Sequence, residues 1–295
     1  MKLAAIDIGS NAVRLLFVSV IDTANGPCFI KESLIRIPLR LGEESFLNGK
    51  FSKEKQKKLI QTMEAFALLM KVQGVDRYLA YATSAMREAD NARKTVDKVY
   101  RKTGIKIEII SGQREAEIIF SNHAEKFSTH PDKNYLYIDV GGGSTELILI
   151  SKGELVDKWS FNIGTLRVKH GKIKEKHWGE MENWLLKYKK TYSPLYGIGS
   201  GGNINSVIKH FSSSSSKEIK REAFMKTYEL LCMKTPEEIS VEYGLRTDRA
   251  DVMLPAMEIF KRIMDITGMP SIFVPKLGLP DGMVHEMYED SLKIK

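Results

Sequence analysis

Two stretches of this 295-residue chain begin alike, Ile6-Asp7-Ile8-Gly9-Ser10-Asn11 and Ile138-Asp139-Val140-Gly141-Gly142-Gly143-Ser144, with their aspartates 132 residues apart. The elements expected around them also follow one order. Period-2 apolar patterns predict strands over 3–8, 13–21 and 28–37. An amphipathic helix over 53–73 follows, opened by Ser52 as N-cap. Then come a strand over 78–82, a helix over 91–102 closed by Gly104, a strand over 106–110 and a helix over 113–125. The second copy has strands over 135–140, 146–150 and 154–161, helical segments to about 191, a strand over 195–198 and a helix from near 203. A serine run at 212–216 reads as a loop tip. Helices over 222–232, 236–243 and 248–267, a strand over 271–274 and a closing helix over 281–294 complete the chain. A β-β-β-α-β-α-β-α order thus occurs twice, with extra helices in the second copy. Such a duplication predicts two α/β domains, 1–125 and 126–280, flanking an interdomain cleft. The boundary is expected near 122–131, and the last helix, about 281–295, is expected to pack back on the first domain.

Charge narrows the ligand class. Residues 1–122 carry 20 basic and 14 acidic side chains, a balance of +6, and the remainder carries 25 and 23, a balance of +2. A basic first half suits a polyanion: nucleic acid, nucleotide or polyphosphate. No apolar run approaches the roughly 20 residues that span a bilayer. The short run Leu3–Ile6 ends at an aspartate and is no signal peptide. These features read as a cytoplasmic protein with no membrane partner. Cys28 and Cys232 lie far apart, and the six histidines lack zinc-ligand spacing.

The duplicated loops carry the chemistry. After Asp7, Gly9 turns the chain and lets backbone approach a ligand. Ser10, Asn11 and neighbouring amides can donate to phosphate oxygens, and Arg14 adds a charge-assisted donor. A plain hairpin turn is the competing reading. In the second copy, Gly141, Gly142 and Gly143 are more glycines than a turn requires, and with Ser144 and Thr145 they read as a backbone nest around an anion. Asp139 and Glu146 flank that nest, and carboxylates beside phosphate point to magnesium, with manganese as the alternative. Ser84 and Arg87 follow a strand end, where α/β domains bind ligands. Glu115 opens a helix and can be aimed from its positive end. The competing reading is an acid favoured by the helix dipole alone. Gly197-Ile-Gly199-Ser-Gly201-Gly202 matches a dinucleotide fingerprint, but a lone match is weak. The stretch 169–190 holds seven lysines, read mainly as a solvated helix face and secondarily as a guide for a long anion.

Asp7-Ile-Gly-Ser-Asn-Ala-Val-Arg14 and Asp139-Val-Gly-Gly-Gly-Ser-Thr-Glu146 resemble the paired phosphate motifs of the actin, chaperone-ATPase and sugar-kinase superfamily. Within it they are similar to the signature of the exopolyphosphatase / guanosine pentaphosphate phosphatase family. Thr83-Ser-Ala-Met-Arg87, Ser111-Gly-Gln-Arg-Glu115-Ala, Gly164-Thr-Leu-Arg167, Gly197–Asn203, Arg249-Ala-Asp251 and Gly278–Gly282 resemble further family segments, in family order over essentially the whole chain. The resemblance implies two ribonuclease H-like, actin-like ATPase domains. It implies Glu115 as the general base on the attacking water, Asp139 and Glu146 as the magnesium site, and Gly201, Gly202 and Asn203 near a terminal phosphate. It also implies inorganic polyphosphate or guanosine pentaphosphate as substrate, in preference to nucleic acid, and suggests a homodimer. Longer members carry a further helical domain, so this chain resembles the short, two-domain form. Gln113 and Arg114 stand where acids are common, and Arg114 is expected beside the base. Pro280-Asp281 stands where Arg-Glu is usual, removing one expected phosphate contact. A superfamily kinase or ATPase, and a non-catalytic polyphosphate binder, are the competing functional classes.

Overall fold

The computed structural model describes residues 1–121, 133–212 and 217–293. The chain divides into two compact units, Met1–Asn122 with Leu279–Lys295, and His123–Gly278. The sequence boundary expected near 122–131 lies almost wholly outside the described residues, as does most of the serine run.

The first unit opens with strands β1 (Lys2–Ile8), β2 (Val13–Thr23) and β3 (Gly26–Ile37) as an antiparallel meander. Helices α1 (Leu41–Asn48) and α2 (Lys53–Val72) follow. Then come β4 (Arg77–Ala82), α3 (Ser84–Glu88), α4 (Ala92–Thr103), β5 (Glu108–Ile109) and α5 (Gly112–Ser121). Strands β4 and β5 continue the sheet in parallel with β1, giving the order β3-β2-β1-β4-β5. Alternation along β1 sends Ala4, Ile6 and Ile8 into one core with Leu59, Met63 and Phe66 of α2 and Val99 of α4. Ser52 caps α2 as its sequence predicts, its side chain accepting from the Lys55 amide at 3.1 Å.

The second unit repeats the plan. Strands β6 (Asn134–Val140), β7 (Thr145–Ser151) and β8 (Glu154–Phe161) form the meander, followed by α6 (Thr165–Lys169) and α7 (Glu175–Tyr192). Strand β9 (Leu195–Ser200), α8 (Gly202–Phe211), β10 (Glu218–Lys220), α9 (Arg221–Cys232), α10 (Pro236–Glu242), α11 (Thr247–Ala250), α12 (Met253–Thr267) and β11 (Ser271–Phe273) complete it. The sheet order is β10-β11-β9-β6-β7-β8. The duplication extends to register. Asp7 faces Arg14 across β1 and β2, and Asp139 faces Glu146 across β6 and β7. The amide of Gly9 donates to Ala12 O at 3.1 Å, and that of Gly141 donates to Ser144 O at 2.9 Å.

The single helix expected over 248–267 is two, α11 and α12. Pro255 is the reason. It has no amide to donate and its ring crowds the carbonyl four residues back, so the helix restarts with proline in its first turn. Helices α1 and α3 were not expected from the sequence. At eight and five residues they are too short to display a helical period. No helix among the described residues is long and apolar enough to cross a membrane.

The chain ends in α13 (Leu279–Leu292), which packs on β1, β2, β4 and α5 of the first unit. Its contact with α5 is backbone to backbone. A Cβ on Gly282 would lie 2.2 Å from Ile118 O. Gly179 of α7, by contrast, faces open space. The two helical glycines therefore predict opposite signs on substitution. Gly282→Ala should lose about 1–3 kcal/mol by overpacking, and Gly179→Ala should gain about 0.5–1 kcal/mol from helix propensity. Urea denaturation of both variants checks the pair, and stabilisation by Gly282→Ala would contradict the packing described.

Candidate functional site

In the first unit the candidate residues gather at the carboxyl ends of β1, β4 and β5. Asp7 is the next-to-last residue of β1 and is 4% exposed. Arg14 donates from Nη1 to its Oδ2 at 3.1 Å. Burial pushes the Asp7 carboxyl above its ordinary range, and the Arg14 charge only partly offsets that. The hairpin loop Gly9–Ala12 then leans on the start of α1. Ser10 O accepts the Gly42 amide at 2.8 Å, and Asn11 O accepts the Arg40 amide at 2.9 Å. A trans peptide sets each carbonyl antiparallel to the next amide. Tying these two carbonyls down therefore aims the Asn11 and Ala12 amides the opposite way.

Ser10 reaches the next strand end. Its hydroxyl lies 2.8 Å from that of Ser84, the first residue of α3. One turn on, Arg87 Nη1 donates to Ile110 O at 2.9 Å and to Glu115 Oε2 at 3.1 Å. Glu115 sits in the first turn of α5. Asp7, Gly9, Ser10, Asn11, Arg14, Ser84, Arg87 and Glu115 are thus linked through adjacent strand ends.

Arg114 does not act as its sequence position suggested. Its Nη2 donates to Glu286 Oε1 of α13 at 2.6 Å, and the same oxygen accepts the Tyr81 hydroxyl at 2.9 Å. The guanidinium is drawn to α13, and Arg87 is a cation paired with Glu115. Asp281, one of the two departures in the closing loop, forms an ion pair with Lys31 of β3.

In the second unit the glycine loop is built backwards onto α6. Gly141 O accepts the Thr165 amide at 3.0 Å, Gly142 O accepts the Leu166 amide at 2.9 Å, and Gly143 O accepts Arg167 Nε at 2.6 Å. All three glycine carbonyls are engaged on one side, so the amides of Gly142, Gly143 and Ser144 face the other. The sequence anticipated a nest because three glycines exceed a turn's needs. The structure adds a second reason. A Cβ on Gly164 would lie 2.4 Å from the Gly143 backbone, so two glycine segments press directly together.

Asp139 and Glu146 face each other across β6 and β7. Glu146 is 2% exposed, and its Oε1 accepts the hydroxyls of Ser144 at 2.7 Å and Ser160 at 2.8 Å. Ser160 was not among the sequence candidates. Its signal is the register of β7 with β8, which sets it opposite Glu146. Thr145 is buried, its hydroxyl donating to Ile163 O at 2.6 Å, so it supports the loop from within. Gly201 lies beside this pair, where a Cβ would sit 3.3 Å from Asp139 Oδ1. Gly202 opens α8, and its carbonyl accepts Arg249 Nη1 at 2.9 Å. Asn203 follows in the first turn of α8, partly exposed. No group of three or more carboxylate, histidine or cysteine ligands occurs among the described residues. Magnesium commonly uses only one or two carboxylates, with waters and substrate phosphates completing its shell. Two facing acids at strand ends, one oriented by two hydroxyls, fit that ion.

The duplicated sheets and helices define an actin-like fold. The Ppx/GppA phosphatase family model matches residues 33–291, and the chain belongs to that family. Among curated relatives, a bifunctional 3-dehydroquinate synthase/phosphatase of Fusobacterium nucleatum is 30% identical over 92% of this chain and 44% of its own length. Exopolyphosphatase 1 of Mycobacterium tuberculosis is 33% identical over 50% of this chain and 42% of its own. A guanosine-5'-triphosphate,3'-diphosphate pyrophosphatase of Vibrio atlanticus is 24% identical over 97% of this chain and 59% of its own. The chain therefore spans roughly half the length of the curated relatives it matches. An exopolyphosphatase structure from Cytophaga hutchinsonii superposes with a TM-score of 0.84 at 24% identity, covering 98% of each chain. The Aquifex aeolicus family member gives 0.76 at 23% identity. The duplicated fold expected from the sequence is the observed one.

The buried Asp7 gives a prediction of sign. Its folded pKa is raised, so ionising it costs more in the native state than in the unfolded chain. That cost is absent below the ordinary value of 3.8 and grows as pH rises through the raised folded value. Asp7→Asn should therefore melt higher than the parent at pH 7, and the gain should shrink toward pH 4. Thermal melts across this range check it. A lower melting temperature at pH 7 would show that the Arg14 pair outweighs burial.

Proposed function

We propose that this protein is an exopolyphosphatase, removing the terminal phosphate of inorganic polyphosphate by water attack. The observation that carries the reading is Glu115 beside Arg87 at 3.1 Å, at the same strand ends as Ser10 and Ser84. A carboxylate able to take a proton from water stands next to a guanidinium suited to a phosphoryl group. A phosphoryl oxygen arriving at Arg87 competes with Glu115 for the Nη1 proton and leaves the carboxylate for a water. Glu115 then accepts that water's proton as oxygen attacks phosphorus. The bond to the bridging oxygen breaks, and the shortened chain leaves with orthophosphate as the other product. The outward-facing amides of the Ser10–Ala12 loop are donors suited to phosphate oxygens, where fixed dipoles cost no reorganisation. Asp139 and Glu146 would hold magnesium, which neutralises phosphate charge when bound. Little else is required, since positioning and electrostatics dominate phosphoryl transfer.

A second reading is a guanosine pentaphosphate 5'-phosphohydrolase. The Vibrio relative, aligned over 97% of this chain, favours it. A kinase of the superfamily would need an acceptor other than water, and Glu115 speaks for water.

The test is phosphate release from polyphosphate, guanosine pentaphosphate and ATP, with and without magnesium. Polyphosphate should be preferred. Glu115→Gln should lower kcat about 100-fold or more, and EDTA should abolish turnover reversibly. Activity confined to guanosine pentaphosphate would move the assignment to the second reading, and full activity in Glu115→Gln would remove the base.

A further inference from the structure

We propose that the groove between α2 and α4 is a second binding site on the first unit, taking a linear chain of phosphoryl groups away from the reacting end. Helices α2 and α4 together hold ten basic and three acidic residues, a balance of +7. The whole chain carries only +8. Nearly all the net charge of the protein thus resides on two helices that pack side by side.

Four of these basic residues line one groove. A groove of about 340 Å³ runs between the helices, lined by Lys53 and Lys57 of α2, Lys98 and Lys102 of α4, and one acid, Glu64. Helical spacing of four sets each lysine pair along one stripe. Among the described residues none of the four lysines forms an ion pair. Some lysines do have their own acid, as in Lys58 with Glu54, Lys169 with Asp251 and Lys234 with Glu242. Uncompensated like charges around one groove repel, and an anion along it relieves that repulsion.

The groove is also fixed in shape. Gln56, 9% exposed, accepts Lys98 Nζ at 2.8 Å on its oxygen and donates from Nε2 to Phe51 O at 3.1 Å. Asn91, just before α4, accepts the Phe51 amide at 3.0 Å and donates to Phe51 O at 2.8 Å. These bonds tie the start of α2 to α4 and hold one ammonium over the groove before any ligand arrives. The groove also lies one short link from the site already described, since only three residues separate α3, which carries Arg87, from α4. The lysine-rich stretch 169–190, singled out from sequence as a guide, is less available. There Lys169 is paired with Asp251, and Lys189 donates to Ile266 O at 2.7 Å.

The inference rests on the proposed polyphosphate substrate, and direct binding separates the two. The probe is end-labelled linear polyphosphate, longer than the reacting end requires, bound to Glu115→Gln protein in EDTA. The same background with Lys53→Gln, Lys57→Gln, Lys98→Gln and Lys102→Gln should bind at least ten-fold more weakly. It should also lose about 3 from the slope of log affinity against log salt, at about 0.7 per lost contact. In the parent, these four changes should raise KM for long chains while kcat and KM for tripolyphosphate stay unchanged. Replacing the four lysines with arginine should restore binding, which shows that any loss is one of charge and not of folding. Equal affinity and slope in the Gln variant would overturn the groove alone. No binding by either protein would overturn the substrate reading and the groove with it. Tighter groove-dependent binding of RNA of similar charge than of polyphosphate would assign the surface to nucleic acid and overturn the proposal.

Discussion

Each half of this protein depends on one arrangement: a loop between two antiparallel strands whose carbonyls are held by the first turn of a later helix. In the first unit α1 takes Ser10 O through Gly42, and Asn11 O is held by Arg40 just before it. In the second, α6 takes Gly141 O and Gly142 O through its own amides and Gly143 O through Arg167. A helix N-terminus has amides without intrahelical partners, and the loop carbonyls satisfy them. The planar peptide then makes the outcome unavoidable, since a carbonyl committed to the helix turns the following amide away from it. One bonding pattern caps a helix and aims donors for an anion. A substitution that loosens α6 should therefore disturb phosphate binding without touching a phosphate contact.

The two copies diverge at one register position, and the divergence assigns them different work. Seven residues beyond each aspartate, directly opposite it across the hairpin, stands Arg14 in one copy and Glu146 in the other. An arginine there neutralises Asp7 in place and leaves the loop neutral or positive toward an anion. A glutamate there concentrates negative charge at a phosphate loop, which is unfavourable unless a cation is shared. The hydroxyls of Ser144 and Ser160 donate to Glu146 Oε1 and fix its orientation.

Much of this was legible in the residues because it depends on short-range chemistry. The duplication, the meanders, the Ser52 cap and the loops flanked by Asp7, Asp139 and Glu146 all leave local patterns. What was not legible depends on contacts between distant segments. Helices α1 and α3 are too short for periodicity, and α1 starts where the Ser10 carbonyl of a distant loop accepts its Gly42 amide. The glycine loop has three glycines partly because Gly164 presses on Gly143, a contact across 21 positions that no local rule contains. Arg114 was placed beside the base by sequence adjacency, yet Glu286 lies 172 positions on and claims its guanidinium.

The distribution of charge follows the same distinction between local and distant. Counting residues located an excess in the first 122 positions but could not tell a solvated surface from a lined groove, because both have the same composition. What separates them is whether each cation has its own counterion. A surface that exists only for solubility scatters both signs, and lysines such as Lys58 and Lys234 have an acid within reach. The facing stripes of α2 and α4 do not, and Gln56, a neutral side chain, is used to hold Lys98 where an acid would have cancelled its charge. A neutral anchor keeps the ammonium in position and preserves its charge for a ligand, which is the choice expected where the ligand itself supplies the counterion.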